Sequence, residues 1–198
     1  MMNELPSLDS EYFKKVYDAN DDPWDFETSD YEANKYKATL DALPHEKYHS
    51  ALEIGCSIGV FTKLLAKRCE NIVATDVSQK ALDKAVERCK NLENIHFIKA
   101  RFPKELPVEN FSLIVVSEVA YYLSPEDWEL AMSKLFNITK ENGNIVLVHW
   151  LPEVHDYPQT GDEVHDSFAK YMNGKMKNVF KSREETYRID VWKKPESA

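Results

Sequence analysis

The stretch that most restricts the fold is ALEIGCSIGVF, residues 51–61. An apolar run ends on Glu53, two glycines follow at Gly55 and Gly59 with Ser57 between them, and Val60 and Phe61 look like the start of a helix. This reads as a buried strand that turns sharply into a helix. A tight strand-to-helix turn needs residues that tolerate unusual backbone dihedrals, and a missing side chain lets a ligand lie against the backbone.

The same alternation continues to the C-terminus. NIVATD reads as a second strand, and SQKALDKAVERCK as a helix capped by Ser78, with Ala81, Leu82, Ala85, Val86 and Cys89 on one side. IHFIKA and FSLIVVS are the third and fourth strands, the fourth apolar throughout, as a strand covered on both faces should be. Ser124 and Pro125 open the next helix, ENG at 141–143 is expected to stop it, and NIVLVHW is the fifth strand. Thr160 and Glu163 form a capping box for a further helix. KNVFKS and TYRIDVWKK then read as an antiparallel pair at one edge. The expected class is α/β, a Rossmann-like doubly wound, mostly parallel seven-stranded sheet with an antiparallel edge.

Before the sheet, residues 9–19 carry Tyr12, Phe13, Val16 and Tyr17 at helical spacing. A second helix opens on a capping box, Ser29 with Glu32, and presents Ala33, Tyr36, Leu40 and Leu43 as its apolar face. Residues 1–44 are thus expected to be an N-terminal helical lid within the same domain as 45–198.

A chain of 198 residues suits one domain, and 43% hydrophobic with 30% charged residues suits an ordinary globular protein. The formal net charge of −9 argues against nucleic-acid binding, although residues 170–198 are locally basic. No run approaches the ~18 apolar residues of a membrane span, and MMNELPSLDSEYF has no secretory pattern. Three cysteines at spacings that match no zinc pattern point to reduced thiols and a cytoplasmic location.

Open α/β sheets bind ligands beyond the carboxyl ends of their strands. The dinucleotide pattern there is G-x-G-x-x-G, with a pyrophosphate on the helix N-terminus. This chain has E-x-G-x-S-x-G instead. A carboxylate aimed at the turn repels a pyrophosphate and suits a ligand carrying an ammonium or sulfonium. S-adenosylmethionine carries both. Asp76, which ends the second strand 23 residues after Glu53, is placed to accept hydrogen bonds from ribose hydroxyls.

With these residues in view, the chain resembles the class I S-adenosylmethionine-dependent methyltransferases. EIGCSIG is similar to their first motif and ATDVS to their second, with Ser57 departing from the more usual glycine. A resemblance over nearly the whole chain is carried by DDPWDFETSDYEANKY, SEVAYYLSPED, VHW and DYPQTGDEVH. It is to the NodS-type nodulation N-methyltransferases, which methylate the free amine of a de-N-acetylated chitin oligosaccharide.

The resemblance implies S-adenosylmethionine as cofactor, held by Glu53, Gly55, Ser57, Gly59 and Asp76. It places Arg101 and Phe102 at the adenine, although Phe102 reads equally as core. Ser117 and Glu118 then face cofactor and acceptor, with Tyr121 and Tyr122 beyond. An amine must be neutral to attack, so Glu118 and His149 are the candidate catalytic residues, as base or orienting acceptor, with a structural role as the alternative for Glu118 and a satisfied core histidine as the equal alternative for His149. Trp24, Tyr31 and Tyr36 are candidate contacts for the methionine part or the acceptor, with core filler as the alternative for Trp24. His155, Asp156, Asp162, Glu163, His165 and Asp166 fit no tight metal site, and their segment is expected to line the acceptor pocket.

The expected partner is a small-molecule acceptor, an amine on a sugar or other polar molecule. An O- or carboxyl-methyltransferase, a non-catalytic cofactor-binding protein and a nicotinamide dehydrogenase are the alternatives. Neither nucleic acid nor membrane is expected as a partner, and oligomeric state is not legible.

Overall fold

In a computed structural model, residues 5–196 are described. The first four residues of the N-terminal stretch and the last two of the basic C-terminal stretch lie outside them. Helices α1 (Ser10–Ala19) and α2 (Asp30–Ala42) precede strand β1 (Tyr48–Ile54). Then follow α3 (Val60–Leu65), β2 (Cys69–Asp76), α4 (Gln79–Cys89), β3 (Ile95–Lys99) and β4 (Phe111–Ser117). The chain ends with α5 (Pro125–Ile138), β5 (Thr139–Trp150), α6 (Gly161–Met172), β6 (Lys177–Arg183) and β7 (Tyr187–Lys193).

The seven strands lie in the order β3-β2-β1-β4-β5-β7-β6. The β1–β2, β1–β4, β2–β3 and β4–β5 pairs are parallel, whereas β7 runs antiparallel between β5 and β6. Strand order reverses between β1 and β4, which opens a crevice at their carboxyl ends. The pleat divides the core. Leu52, Ile54, Ile114, Val116, Ile145 and Leu147 face Trp128, Leu135 and Phe168 of α5 and α6. Ala51, Leu113, Val115, Val146 and Val148 face Tyr36, Phe61, Leu65 and Leu82 on the other side.

Three local expectations need correction. Strand β5 begins at Thr139, not after the ENG turn, and Asn142 takes a left-handed φ of 60° within it. The cause is a distant partner: Lys194 accepts the Asn142 amide and donates its own to Gly143, while its ammonium bonds the Phe136 and Thr139 carbonyls. Val86 on α4 is half exposed. On α2 the buried face runs through Glu32, Lys35, Tyr36, Thr39 and Ala42, and Ala33 points outward. Ser29 does accept the Glu32 amide, but the Glu32 carboxylate turns inward to Lys35.

The N-terminal segment crosses the crevice and is tied on both sides. Leu8 donates its amide to the Tyr122 carbonyl at 2.8 Å, and the Ser7 hydroxyl accepts the Ser124 amide. At the other side the Tyr17 hydroxyl meets Ser57 Oγ at 2.6 Å, and Lys80 of α4 bonds the Tyr17 carbonyl at 2.6 Å. Lys80 and Lys84 also pair with Asp21.

Candidate functional site

Beneath that crossing segment lies a cavity of about 490 Å3, within the ~300–1,000 Å3 range of small-molecule sites. Its floor is the turn after β1. Gly55 and Cys56 donate their amides to the Thr75 carbonyl at 2.8 and 2.9 Å, which locks the turn onto β2. Gly55, Ser57 and Gly59 have φ of 75°, 49° and 79°, so the turn passes three times through the left-handed region.

The two glycines serve different purposes. Gly55 lines the cavity, and a Cβ there would overlap the Val119 side chain. Gly59 does not line it, contrary to its expected place among the cofactor contacts. A Cβ on Gly59 would sit 2.9 Å from the Ala85 backbone and side chain, so this glycine lets α3 approach α4. Gly59→Ala is therefore expected to lower stability by about 2–4 kcal/mol, through left-handed strain and overpacking together. Denaturant unfolding checks this. Ser57 tolerates its φ because the Tyr17 hydroxyl holds its side chain.

Glu53, one residue before the end of β1, and Asp76, at the end of the adjacent β2, are both buried and both in the cavity wall. Glu53 is 3% exposed and has no cationic partner among the described residues. Burial, with a smaller contribution from Asp76, lifts its pKa from near 4.5 to about 7 against the opposing hydrogen bond of the Thr62 hydroxyl. Burial also raises the pKa of Asp76, while backbone amides of Ser78, Ser57 and Val77 oppose the shift. Its Oδ2 accepts the Ser57 amide at 2.9 Å and its Oδ1 the Ser78 amide at 2.8 Å. A carboxylate oxygen has room for a second donor, so both remain able to accept a hydroxyl.

Arg101, exposed, and Phe102, half-buried against the core, line the cavity beyond β3, and Ser117 lines it at the end of β4. Trp24 and Tyr36 form part of an aromatic wall. Trp24 stacks on Phe26 at 5.5 Å between centroids, and Tyr36 tilts against Phe61 at 5.2 Å. Tyr31 stands apart, edge-on to Trp150 at 5.6 Å and to Tyr187 at 6.1 Å.

Glu118 follows β4 with a left-handed φ of 55°, a conformation that costs an ordinary residue ~1–3 kcal/mol and persists only where its surroundings impose it. Here they do. Its Oε1 accepts Lys35 Nζ at 2.6 Å, and its Oε2 accepts the Tyr121 hydroxyl at 2.5 Å and the Trp150 amide at 2.9 Å. Lys35 is 2% exposed and also bonds Glu32 Oε1 at 2.9 Å. Burial opposes its charge, but Glu118 and Glu32 outweigh that and raise its pKa. Burial raises the pKa of Glu32 against the pull of Lys35 and a hydrogen bond from Tyr36.

His149 is displaced from its expected role. It is fully buried, does not line the cavity, and accepts the Ala120 amide on Nε2 at 3.2 Å. Its other nitrogen meets His165 at 3.1 Å. Burial, with His165 and Lys35, holds its pKa well below 6.5. The fifth strand's pleat turns His149 into the sheet–α6 interface and gives the cleft to Trp150.

The acidic and histidine residues after β5 also go to structural work. Glu163 completes the Thr160 capping box, Asp162 pairs with Arg183 and Arg188, and His165 pairs with Asp190. From that segment Val154 and Tyr157 reach the cavity.

A family model for nodulation protein S (NodS) matches residues 9–149, well over half of the chain. The chain belongs to the NodS family. Nodulation protein S of Bradyrhizobium diazoefficiens is 37% identical over 106 residues, 53% of this chain and 51% of that protein. Nodulation protein S of Rhizobium tropici is 31% identical over 130 residues, 65% of this chain and 55% of that protein. The chain thus spans about half the length of these curated relatives. The crystal structure of N-methyltransferase NodS from Bradyrhizobium japonicum WM9, in complex with S-adenosyl-L-homocysteine, superposes with a TM-score of 0.80 at 22% identity. That likeness covers 94% of this chain and 98% of the other, and it speaks for the fold.

In this NodS-family chain, sequence reasoning missed Tyr17, Glu32, Lys35 and Tyr157 in the cavity wall. Glu32 and Lys35 carried a signal, since an acidic and a basic residue three apart share a helix face. Nothing in sequence marked that face as buried.

Proposed function

We propose that this chain is an S-adenosylmethionine-dependent methyltransferase that methylates an amine on a small polar acceptor, such as a de-N-acetylated sugar or oligosaccharide. The observation that carries the reading is the buried Glu53 carboxylate, which has no cationic partner among the described residues, beside Asp76 at the glycine turn. A buried carboxylate without a partner is costly, and a cationic ligand group supplies one. The donor set fits the cofactor: an acid for the ammonium, an acid for ribose hydroxyls, and aromatic walls for the adenine and sulfonium. Bound there, S-adenosylmethionine supplies an electrophilic methyl group.

The rest of the work is positioning. The acceptor amine must present its lone pair, and its surplus proton needs an acceptor. Glu118 is held by three donors, so it serves best as a fixed hydrogen-bond acceptor that orients the amine. Tyr157, backed by the stacked Tyr121 ring, and Trp150 exclude water and offer flat apolar faces to a sugar ring. N-methyltransferase NodS of Bradyrhizobium japonicum WM9, which shares this fold, supports nitrogen over oxygen as the acceptor atom. The three unpaired, buried cysteines suit the reducing cytoplasm.

Calorimetric titration with S-adenosylmethionine and S-adenosylhomocysteine tests the cofactor. Asp76→Ala is expected to weaken binding about 10- to 100-fold, the loss of hydrogen bonds to a charged group. Unchanged affinity in that variant overturns the assignment. A panel of amine, hydroxyl and carboxylate acceptors, read by mass spectrometry, tests the acceptor, with de-N-acetylated chitin oligomers first.

A further inference from the structure

Behind the cavity wall lies a set of titratable groups that the proposed chemistry does not use. Arg188 bonds Asp162 and Asp166 at the surface and Asp190 Oδ2 within, the last at 3.0 Å. His165 Nδ1 meets the same oxygen at 2.8 Å, His165 Nε2 meets His149 Nδ1 at 3.1 Å, and His149 Nε2 faces the Ala120 amide at 3.2 Å. Both imidazoles and Asp190 are 0–1% exposed.

Only one assignment of protons satisfies this chain with neutral rings. The Ala120 amide can only donate, so His149 Nε2 carries a lone pair and its proton sits on Nδ1. His165 Nε2 must then accept, which puts its proton on Nδ1, facing Asp190. An ionised carboxylate can only accept. Burial works against ionisation of Asp190, but His165 and Arg188 outweigh it and hold its pKa below the usual range. Every bond therefore points the same way, from the turn at Ala120–Tyr122 toward Asp190.

That turn carries Tyr121, whose hydroxyl bonds Glu118, and follows Glu118 in its left-handed conformation. We infer that His149, His165 and Asp190 are positioning residues: a directed hydrogen-bond chain that fixes the turn and so aims Tyr121 and Glu118 into the acceptor side of the cavity. The inference rests on the proposed function only for its effect on methyl transfer.

The surroundings favour neutral rings. His149 faces the Tyr121 ring from the turn at 5.2 Å, His165 from α6 and the charge of Lys35 from α2. His165 faces Asp190 and Arg188 from β7 and Asp162 from its own helix. A proton on His149 Nε2 would set two donors against each other at Ala120 and release the turn.

Nitrogen-15 NMR of the imidazoles tests the chain directly. Both rings should be neutral Nδ1–H tautomers, still neutral at pH 6, where exposed imidazoles with pKa about 6.5 are mostly charged. The variant His165→Phe should remove the single tautomer at His149 and speed amide exchange at Ala120 by about tenfold or more. His165→Gln can accept from His149 and donate to Asp190, so it should restore both. Affinity for S-adenosylhomocysteine should stay within about twofold in both variants, while methyl transfer falls in His165→Phe alone. A protonated or Nε2–H His149 in the unmodified protein overturns the inference even if no variant folds. So does equal behaviour of the two variants. Failure of S-adenosylhomocysteine to bind at all would count against the proposed function and leave the tautomer result standing.

Discussion

Glu53→Gln is expected to weaken cofactor binding by about 30-fold or more while making the ligand-free protein more stable. The wild-type carboxylate is buried, lacks a cationic partner among the described residues, and has its pKa raised to about 7. A raised acid pKa means that the fold holds a proton that the unfolded chain has given up. The resulting penalty is absent below about pH 4.5, grows between 4.5 and 7, and is full above 7. Its upper limit is about 3 kcal/mol, since every tenfold change in proton affinity is worth about 1.4 kcal/mol. A neutral glutamine removes that penalty, so the gain in denaturant stability should be seen at pH 8 and fade toward pH 4.5.

Binding moves in the opposite sense. Truncating one partner of a buried charge pair costs about 2–5 kcal/mol, a loss of roughly 30-fold to several thousand-fold in affinity. In the wild type, affinity for S-adenosylmethionine should rise as pH climbs through about 7 and Glu53 ionises. Titration calorimetry across that range reads it. A variant that binds as tightly as wild type, or a wild-type affinity flat in pH, would remove Glu53 from the cation site.

Lys35→Met should be the most damaging single change to stability, at about 3–5 kcal/mol, because it strips the cation from two carboxylates in a buried setting. Glu32 and Glu118 would each lose the Lys35 bond at Oε1. For a chain of this size the thermal midpoint should fall by about 10–15 °C. Glu32→Gln alone should be milder, since Lys35 keeps Glu118, and the double variant should recover part of the loss. Methionine fills much of the lysine volume, so the effect reports charge rather than a cavity. A cost below about 1 kcal/mol would mean that the cluster is solvated like a surface pair.

These two predictions draw on different amounts of sequence information. The Glu53–Gly59 turn could be read directly, because glycines at the end of an apolar run mark a tight turn of unusual dihedrals. The seven strands, the antiparallel edge and the Thr160 capping box were also legible, from apolar runs and cap residues that act over a few positions. The Glu32–Lys35–Glu118 cluster was not. Its two halves lie 83 residues apart, and amphipathic spacing had placed Ala33, not Glu32, on the buried face.

Other misreadings share that cause. His149 and Trp150 are neighbours in sequence, and which of them faces the cleft depends on the pleat of β5 in its sheet. Gly55 and Gly59 look alike in the motif, yet one borders the cavity and the other the Ala85 backbone. Strand β5 starts early because Lys194, more than 50 residues on, pairs with its first residues. Local periodicity, caps and glycine placement thus determined the α/β class, the strand sequence and the position of the glycine turn, since those signals act within a few residues. The tertiary structure decided which charged groups are buried together and which way each strand-end side chain points. Those outcomes depend on low-dielectric pairing and sheet register between segments that meet only in the folded chain.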